Sequence, residues 1–239
     1  MKKRQKIRSS ILLITFILFP AIYFYLSPYL IIDATLNNIL NGSFIIFFLM
    51  YISSFFLGRA YCGWICPAAG CQEFVGKIRS KKVKKGNLIK WMIWIPWVVI
   101  IIVIAIKSGG YLKIDFSYPN DNWFPITNVY IFLMYLFILL LIILPAYIFG
   151  RRSFCHHLCW MAPFMVIGRK ISNTLKIPSL RLDANSDKCN NCRTCTENCP
   201  MSLSVEEMVK INKMENAECI LCGTCVDVCK NNVIKFKYK

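Results

Sequence analysis

Four long charge-free apolar runs dominate the first 150 residues: Ile11–Ile32, roughly Ile39–Leu57, Trp91–Ile106 and about Val129–Phe149. A bilayer core of about 30 Å needs about 20 apolar residues as a helix, within a range of about 17–25. Three runs meet that length. The third is short, but Lys90 and Lys107 can snorkel from its ends. Pro20, Pro96 and Pro145 fall inside runs, where a membrane helix tolerates proline better than a soluble one. Composition agrees: 56% of the 239 residues are apolar and 17% charged, against about 45–50% and about 25% in soluble domains. Ile11–Ile32 is too long for the apolar region of a signal peptide, and no A-x-A site follows it, so it reads as an uncleaved anchor.

Orientation follows from lysine and arginine. Residues 1–10 hold five of them (Lys2, Lys3, Arg4, Lys6, Arg8), residues 59–90 eight and residues 150–188 seven. The loop after the first run has none, and the loop after the third has only Lys107 and Lys113. Basic residues mark the cytoplasmic side. The expectation is a multi-pass protein of a bacterial or archaeal cell membrane, with four spans and both termini cytoplasmic. This also accounts for the net charge of +17 without a nucleic-acid partner. The run from Lys77 to Lys85 is the densest stretch and reads as a solvated positive-inside loop, with contact to anionic membrane lipid or an acidic redox partner as the alternative.

Two cysteine arrays follow the spans. The first is Cys189-x-x-Cys192-x-x-Cys195-x-x-x-Cys199-Pro200, the second Cys219-x-x-Cys222-x-x-Cys225-x-x-x-Cys229. This is the bacterial ferredoxin spacing, in which the fourth cysteine ligates the other cluster. Three evenly spaced cysteines can wrap three corners of a cubane, and the fourth opens a helix that leads to the neighbouring one. One [4Fe–4S] cluster is thus assigned to Cys189, Cys192, Cys195 and Cys229. The other is assigned to Cys219, Cys222, Cys225 and Cys199. Structural zinc would need paired C-x-x-C knuckles instead. Short strands around Leu180–Leu182 and Val233–Phe236 are expected to close this part. The fold class is therefore four transmembrane α-helices (residues 1–178), followed by a small α+β 2[4Fe–4S] ferredoxin domain (residues 179–239).

Two further motifs lie at span ends. Gly58-Arg59-Ala60-Tyr61-Cys62-Gly63-Trp64-Ile65-Cys66-Pro67 follows the second run, and Gly150-Arg151-Arg152-Ser153-Phe154-Cys155-His156-His157-Leu158-Cys159-Trp160 follows the fourth. Their shared frame is Gly-Arg, an aromatic, Cys, three residues, Cys. Each closes a pair of spans, so the membrane part reads as a two-fold internal repeat. Cysteines at i and i+4 share a helix face. Cys62, Cys66, Cys155 and Cys159 then supply either four thiolates to one further metal centre or redox-active thiol pairs. Cys71 has no counterpart and reads as a buried structural thiol. His156 and His157, being adjacent, cannot both be axial ligands of one haem. No G-x-G-x-x-G or P-loop points to nicotinamide or ATP.

At these residues the chain resembles the membrane ferredoxin subunits of periplasmic nitrate reductase systems (the NapH type). It is also similar to the polyferredoxin half of nitrous oxide reductase accessory proteins (the NosR type). The resemblance covers about residues 40–239 and rests on the paired C-x₃-C motifs before a 2[4Fe–4S] domain. Cys62, Cys66 and Pro67 match the first family motif. Cys155 and Cys159 match the second, where Trp160 replaces the family's proline. The resemblance implies electron transfer between the membrane quinone pool, with quinone as substrate, and a redox protein partner. The flavin-bearing domain of the NosR type is not in these residues, so its specific role is not expected. The leading reading is an electron-transfer subunit rather than a stand-alone enzyme. Two others stay open: a maturation protein that reduces a metal ion or cofactor with the C-x₃-C thiols, and a redox sensor.

Overall fold

The computed structural model describes residues 2–78, 81–83, 87–118 and 128–239, with the side chain of residue 77 excepted. The first apolar run is not one helix. Helix α1 spans Lys3–Ile17, α2 Phe19–Ile22 and α3 Pro28–Leu36, with a 3₁₀ turn at Phe24–Leu26 between the last two. Proline explains both breaks. Pro20 has no N–H to continue the ladder of α1. Pro28 forces Ser27 into extended backbone (φ −86°, ψ 120°) before α3 restarts, with the Ser27 hydroxyl accepting from Leu30 N–H.

A short strand β1 (Ile39–Asn41) leads into α4 (Gly42–Leu57), whose first turn is capped by the Asn41 side chain accepting from Phe44 N–H at 3.0 Å. Helix α5 (Ala60–Trp64) and helix α6 (Pro67–Ile78) carry the first C-x₃-C motif and its sequel. Then come α7 (Ile89–Lys107), strand β2 (Lys113–Asp115) and α8 (Val129–Phe149). Strands β1 and β2 pair in parallel, tying the two loops at the end of the helices away from the cysteines. Helix α9 (Ser153–His157) carries the second motif, and α10 (Ala162–Thr174) follows it.

Helices α7 and α8 are long and apolar enough to cross a membrane. Most of their surface faces outward, unlike the core helix of a soluble protein. Helix α4 is apolar but has only 16 residues. The helices after the motifs cross over: α10 packs on α4, and α6 packs on α8. Each half of the membrane part therefore buries the sequel of the other half's motif. Ser172 Oγ on α10 donates to Phe55 O on α4 at 2.6 Å.

In the C-terminal part, strands β3 (Leu180–Ala184) and β4 (Ile234–Tyr238) pair antiparallel, Leu180 opposite Tyr238. The expected strands are present, each extended past its predicted C-terminal end. Between them lie two cysteine loops, each followed by a short helix, α11 (Thr194–Glu197) and α13 (Thr224–Val228), with α12 (Val205–Lys210) in between. Arg79, Lys84 and Lys85 of the basic run lie outside the described residues. Its described part is not simply solvated: Lys81 O accepts from Arg151 N–H, and Val83 N–H donates to Ser202 Oγ.

Candidate metal centres

The two C-x₃-C motifs fold alike. In the first, Cys66 N–H reaches back to Tyr61 O at 3.0 Å. In the second, Cys159 N–H reaches Phe154 O at 2.9 Å. Both turns stop a one-turn helix and hand over to the next, so Cys62, Cys66, Cys155 and Cys159 all point inward, each no more than 4% exposed. The crossed packing then interlocks them. Gln72, six residues after Cys66, donates to Cys155 Sγ at 3.3 Å, while Met165, six after Cys159, brings its sulfur to 3.9 Å from Cys62 Sγ.

Burial pushes the thiols of Cys62, Cys66 and Cys159 above their ordinary range, and neighbouring thiols add to this. Cys155 acts on Cys62. Cys62, Cys155 and Cys159 act on Cys66, and Cys155 and Cys62 act on Cys159. Every pair in the quartet is thus close enough to interact. Among the described residues, no three His, Cys, Asp or Glu side chains converge as ligands of a single ion would. The thiolates of a cubane bind four different irons and surround it without meeting at a point. The quartet's donor set and spread fit a polynuclear group better than one ion.

Two ionic triads flank the quartet. Arg59 and Arg152, each three residues before the first cysteine of its motif, are 0% and 1% exposed. Arg59 is bonded to Glu218, which also accepts from Lys90 Nζ at 2.6 Å. Arg152 is bonded to Glu73, which Arg8 grips with both terminal nitrogens at 2.6 and 2.9 Å. The helix starts match as well, since Lys90 also reaches Asn87 three residues before it, and Arg8 reaches Gln5. Burial alone would raise the two glutamates; the paired cations outweigh it and hold both below the usual carboxylate range. Sequence reading matched Arg151 to Arg59, but the inner position belongs to Arg152. The second motif has one more residue after its glycine, absorbed by Arg152 in left-handed backbone (φ 51°), and Arg151 is turned out to Glu197 O.

The ferredoxin-spaced cysteines form two unequal sets. Cys199, Cys222 and Cys225 are buried and Cys219 partly so. Burial pushes Cys199 up to about 11 and Cys219 to about 12, and Cys225 rises for the same reason. Their thiols act on one another, so Cys199 from the first array stands with the second array's three. Of the other set, Cys189, Cys195 and Cys229 are partly exposed and Cys192 is exposed, its thiol lowered by the Thr194 hydroxyl and N–H. The loops share one backbone pattern. Asn191 and Arg193 flank Cys192 with φ 55° and 58°; Leu221 and Gly223 flank Cys222 with φ 48° and 73°. Ser202 and Asn232, each three residues past the fourth cysteine, repeat it at φ 53° and 50°. Such alternation turns successive N–H groups into a concave nest for an anion. A leucine in this conformation is strained and persists only where the surroundings demand it. The loops therefore fit anionic iron–sulfur clusters.

The second loop docks on the first motif. Trp64 Nε1 donates to Leu221 O at 3.1 Å, and Gln5 Nε2 donates to Cys222 O at 3.0 Å. Gly63 lies so close to Ile220 O that a Cβ there would collide with it. Cys71 is buried on α6, and burial raises its thiol to about 11. His156 is buried with Nδ1 against Asn87 Oδ1 at 2.9 Å, and burial first, then Arg59, lowers it to about 4. His157 stays on its own helix, with Nδ1 at 2.9 Å from Ser153 O.

Nested loops carrying eight cysteines at ferredoxin spacing define an iron–sulfur protein of the ferredoxin class. A 4Fe-4S binding domain model matches residues 42–86 and 131–178, and a 4Fe-4S dicluster domain model matches residues 188–234. The uncharacterized protein MJ0749 of Methanocaldococcus jannaschii is 30% identical over 197 residues, 77% of this chain and 67% of that one. The ferredoxin-type protein NapH of Haemophilus influenzae is 25% identical over 219 residues, 83% and 68% of the two chains. The methylamine utilization ferredoxin-type protein MauN of Paracoccus denitrificans is 26% identical over 180 residues, 70% and 56% of the two. No solved structure matches. The chain belongs to the NapH-type 4Fe-4S ferredoxin family, and its role is iron–sulfur electron transfer. The first model spans both C-x₃-C motifs, which places them in 4Fe-4S binding domains too.

Sequence reading missed Gln72, Glu73 and Glu218 around the quartet, and it read Lys90 as a snorkelling span end, whereas Lys90 is 1% exposed and paired with Glu218. A signal was present in Glu73, a lone acid between Arg59 and the basic run.

Proposed function

We propose that this chain is a membrane-anchored electron carrier with four spans and a cytoplasmic C-terminal domain, passing electrons between the quinone pool and a redox protein. Three cysteine sets would serve in a row: the quartet Cys62, Cys66, Cys155 and Cys159, then Cys199, Cys219, Cys222 and Cys225, then Cys189, Cys192, Cys195 and Cys229. The observation that carries this reading is the docking of residues 220–222 on Gly63 and Trp64, which sets the buried ferredoxin cysteines against the quartet. The set containing exposed Cys192 is then the outer one and faces the protein partner.

Bound four-iron clusters supply one-electron chemistry at potentials set by charge, hydrogen bonds and exposure. The chain's own work is to space the three sets, to exclude water from the inner two and to compensate their charge. On the membrane side, a cavity of about 390 Å³ lies between α4, α7 and α10, lined by Phe47, Trp94, Trp97 and Phe164. The Trp94 indole N–H is buried there with no partner among the described residues. An apolar wall with one free donor suits the ring of a quinone.

Iron and sulfide analysis of the full chain, purified anaerobically in detergent, tests the reading. Three clusters give about 12 iron atoms per chain, and Cys66→Ser or Cys159→Ser leaves about 8. About 8 in the unaltered protein would return the quartet to thiol chemistry.

A further inference from the structure

Each triad holds two cations and one anion: Arg59 and Lys90 around Glu218, Arg8 and Arg152 around Glu73. Four cations face two carboxylates, a buried excess of two positive charges. At the rim, Arg4 and Asp227 pair with each other and cancel. The donors are not used up either. Arg59 Nε and Nη2 and Arg152 Nε are buried without a partner of hydrogen-bonding geometry among the described residues. Arg59 nevertheless stands near enough to Cys62 to stabilise its thiolate, and Arg152 Nη1 holds Cys62 O at 2.7 Å. Buried unpaired charge and buried empty donors are both costly. Both guanidiniums stand among the quartet, Arg59 near Cys62, Cys155 and Cys159 and Arg152 near Cys62 and Cys155.

We propose that Arg59 and Arg152 form a charge clamp for a group of charge −2 held by the quartet, and that they raise its reduction potential. This deepens the reading of the quartet as a third centre and rests on it. Simple counting narrows the group. Four thiols or two disulfides are neutral and leave the excess bare; four free thiolates overshoot to −4. Four thiolates around a 2+ iron–sulfur core give −2 whether it holds two irons or four, and the 4Fe-4S binding domain model over both motifs selects four. One divalent ion would give the same sum, but the sulfurs do not converge on one point. On reduction the group gains one electron and reaches −3, so nearby fixed positive charge favours the reduced state.

The clamp makes a prediction of sign. In full-length protein, EPR-monitored redox titration of Arg59→Gln and Arg152→Gln should give a lower midpoint for the third centre with iron content retained. Each glutamine variant leaves its glutamate paired with the remaining cation, Lys90 or Arg8, so folding is preserved. Arg59→Lys should restore most of the midpoint. Glu73→Gln removes an anion instead and should raise it. The cluster at Cys222, which Arg152 also approaches, should shift less and in the same direction. Unmoved midpoints in both glutamine variants, with the third centre present, overturn the clamp and leave the third centre standing. Absence of the third signal from the unaltered protein overturns the third centre itself.

Discussion

The two halves of the membrane part solve one problem with different partners. Both place an arginine three residues before a cysteine, both add a second cation from the start of a helix, and both need one carboxylate. The first motif's sequel helix supplies Glu73, and that carboxylate serves the second motif's Arg152. The second half supplies none. Val166 stands seven residues after Cys159, where Glu73 stands after Cys66, and Arg59 is met by Glu218, 159 residues away and next to Cys219. One half is completed by the membrane part and the other by the ferredoxin part. A repeated scaffold has thus become directional, since only Arg59 draws its carboxylate from the C-terminal part.

The largest break should come from Glu218→Gln. It strips both Arg59 and Lys90 of their carboxylate, and leaving buried cations unpaired costs about 3–5 kcal/mol. Hydrogen exchange at residues 219–225 should speed up markedly. Glu73→Gln should cost a similar amount and leave that segment protected; equal exposure in both variants would refute the asymmetry. Acid should act in the same direction. Both carboxylates have lowered folded pKa values. Their stabilisation is therefore complete above the ordinary glutamate value of about 4.3 and fades as pH falls through the lower folded values. Thermal melts against pH should show that loss, and a double glutamine variant should flatten it.

The next effect sharpens the comparison at its seam. Gly63 and His156 both directly follow the first cysteine of their motifs, but only Gly63 meets the ferredoxin loop. Gly63→Ala should push Ile220 away at a cost of about 1–3 kcal/mol, read as slower electron transfer between the quartet and the C-terminal clusters. Trp64→Phe loses only the bond to Leu221 O, about 1 kcal/mol. The smallest effect lies between the two cysteine loops. Gly223 and Arg193 share one left-handed position. Arg193 is exposed there, and its contact with Glu206 is worth little. Arg193→Gly should raise stability by up to about 1 kcal/mol in denaturant titration.

Much of this was legible beforehand because it is local. Cysteine spacing and strand-forming ends act within a few residues, so the ferredoxin loops and β3–β4 follow from sequence. The break of the first run was less so: Pro20 alone is compatible with a kinked span, and only Ser27-Pro28 with α1 packed on α6 divides it into three. Arg152's inner position was hidden by a single inserted residue. Glu218 was hidden by distance along the chain, since neither period nor motif links residue 59 to residue 218.

Helix α1 adds a constraint on the order of assembly. Gln5 bonds to Cys222 O and to Asp227, more than 215 residues away. During synthesis α1 waits for its partner until more than 215 further residues have been made. Contacts this remote in sequence close late. Once they close, Cys222 and Cys225 are shut away from solvent. Iron and sulfide must therefore be delivered to the inner ferredoxin loop before α1 seals it, while the outer loop around Cys192 stays open to loading and repair afterwards. Helix α1 thus acts as the latch on the inner site.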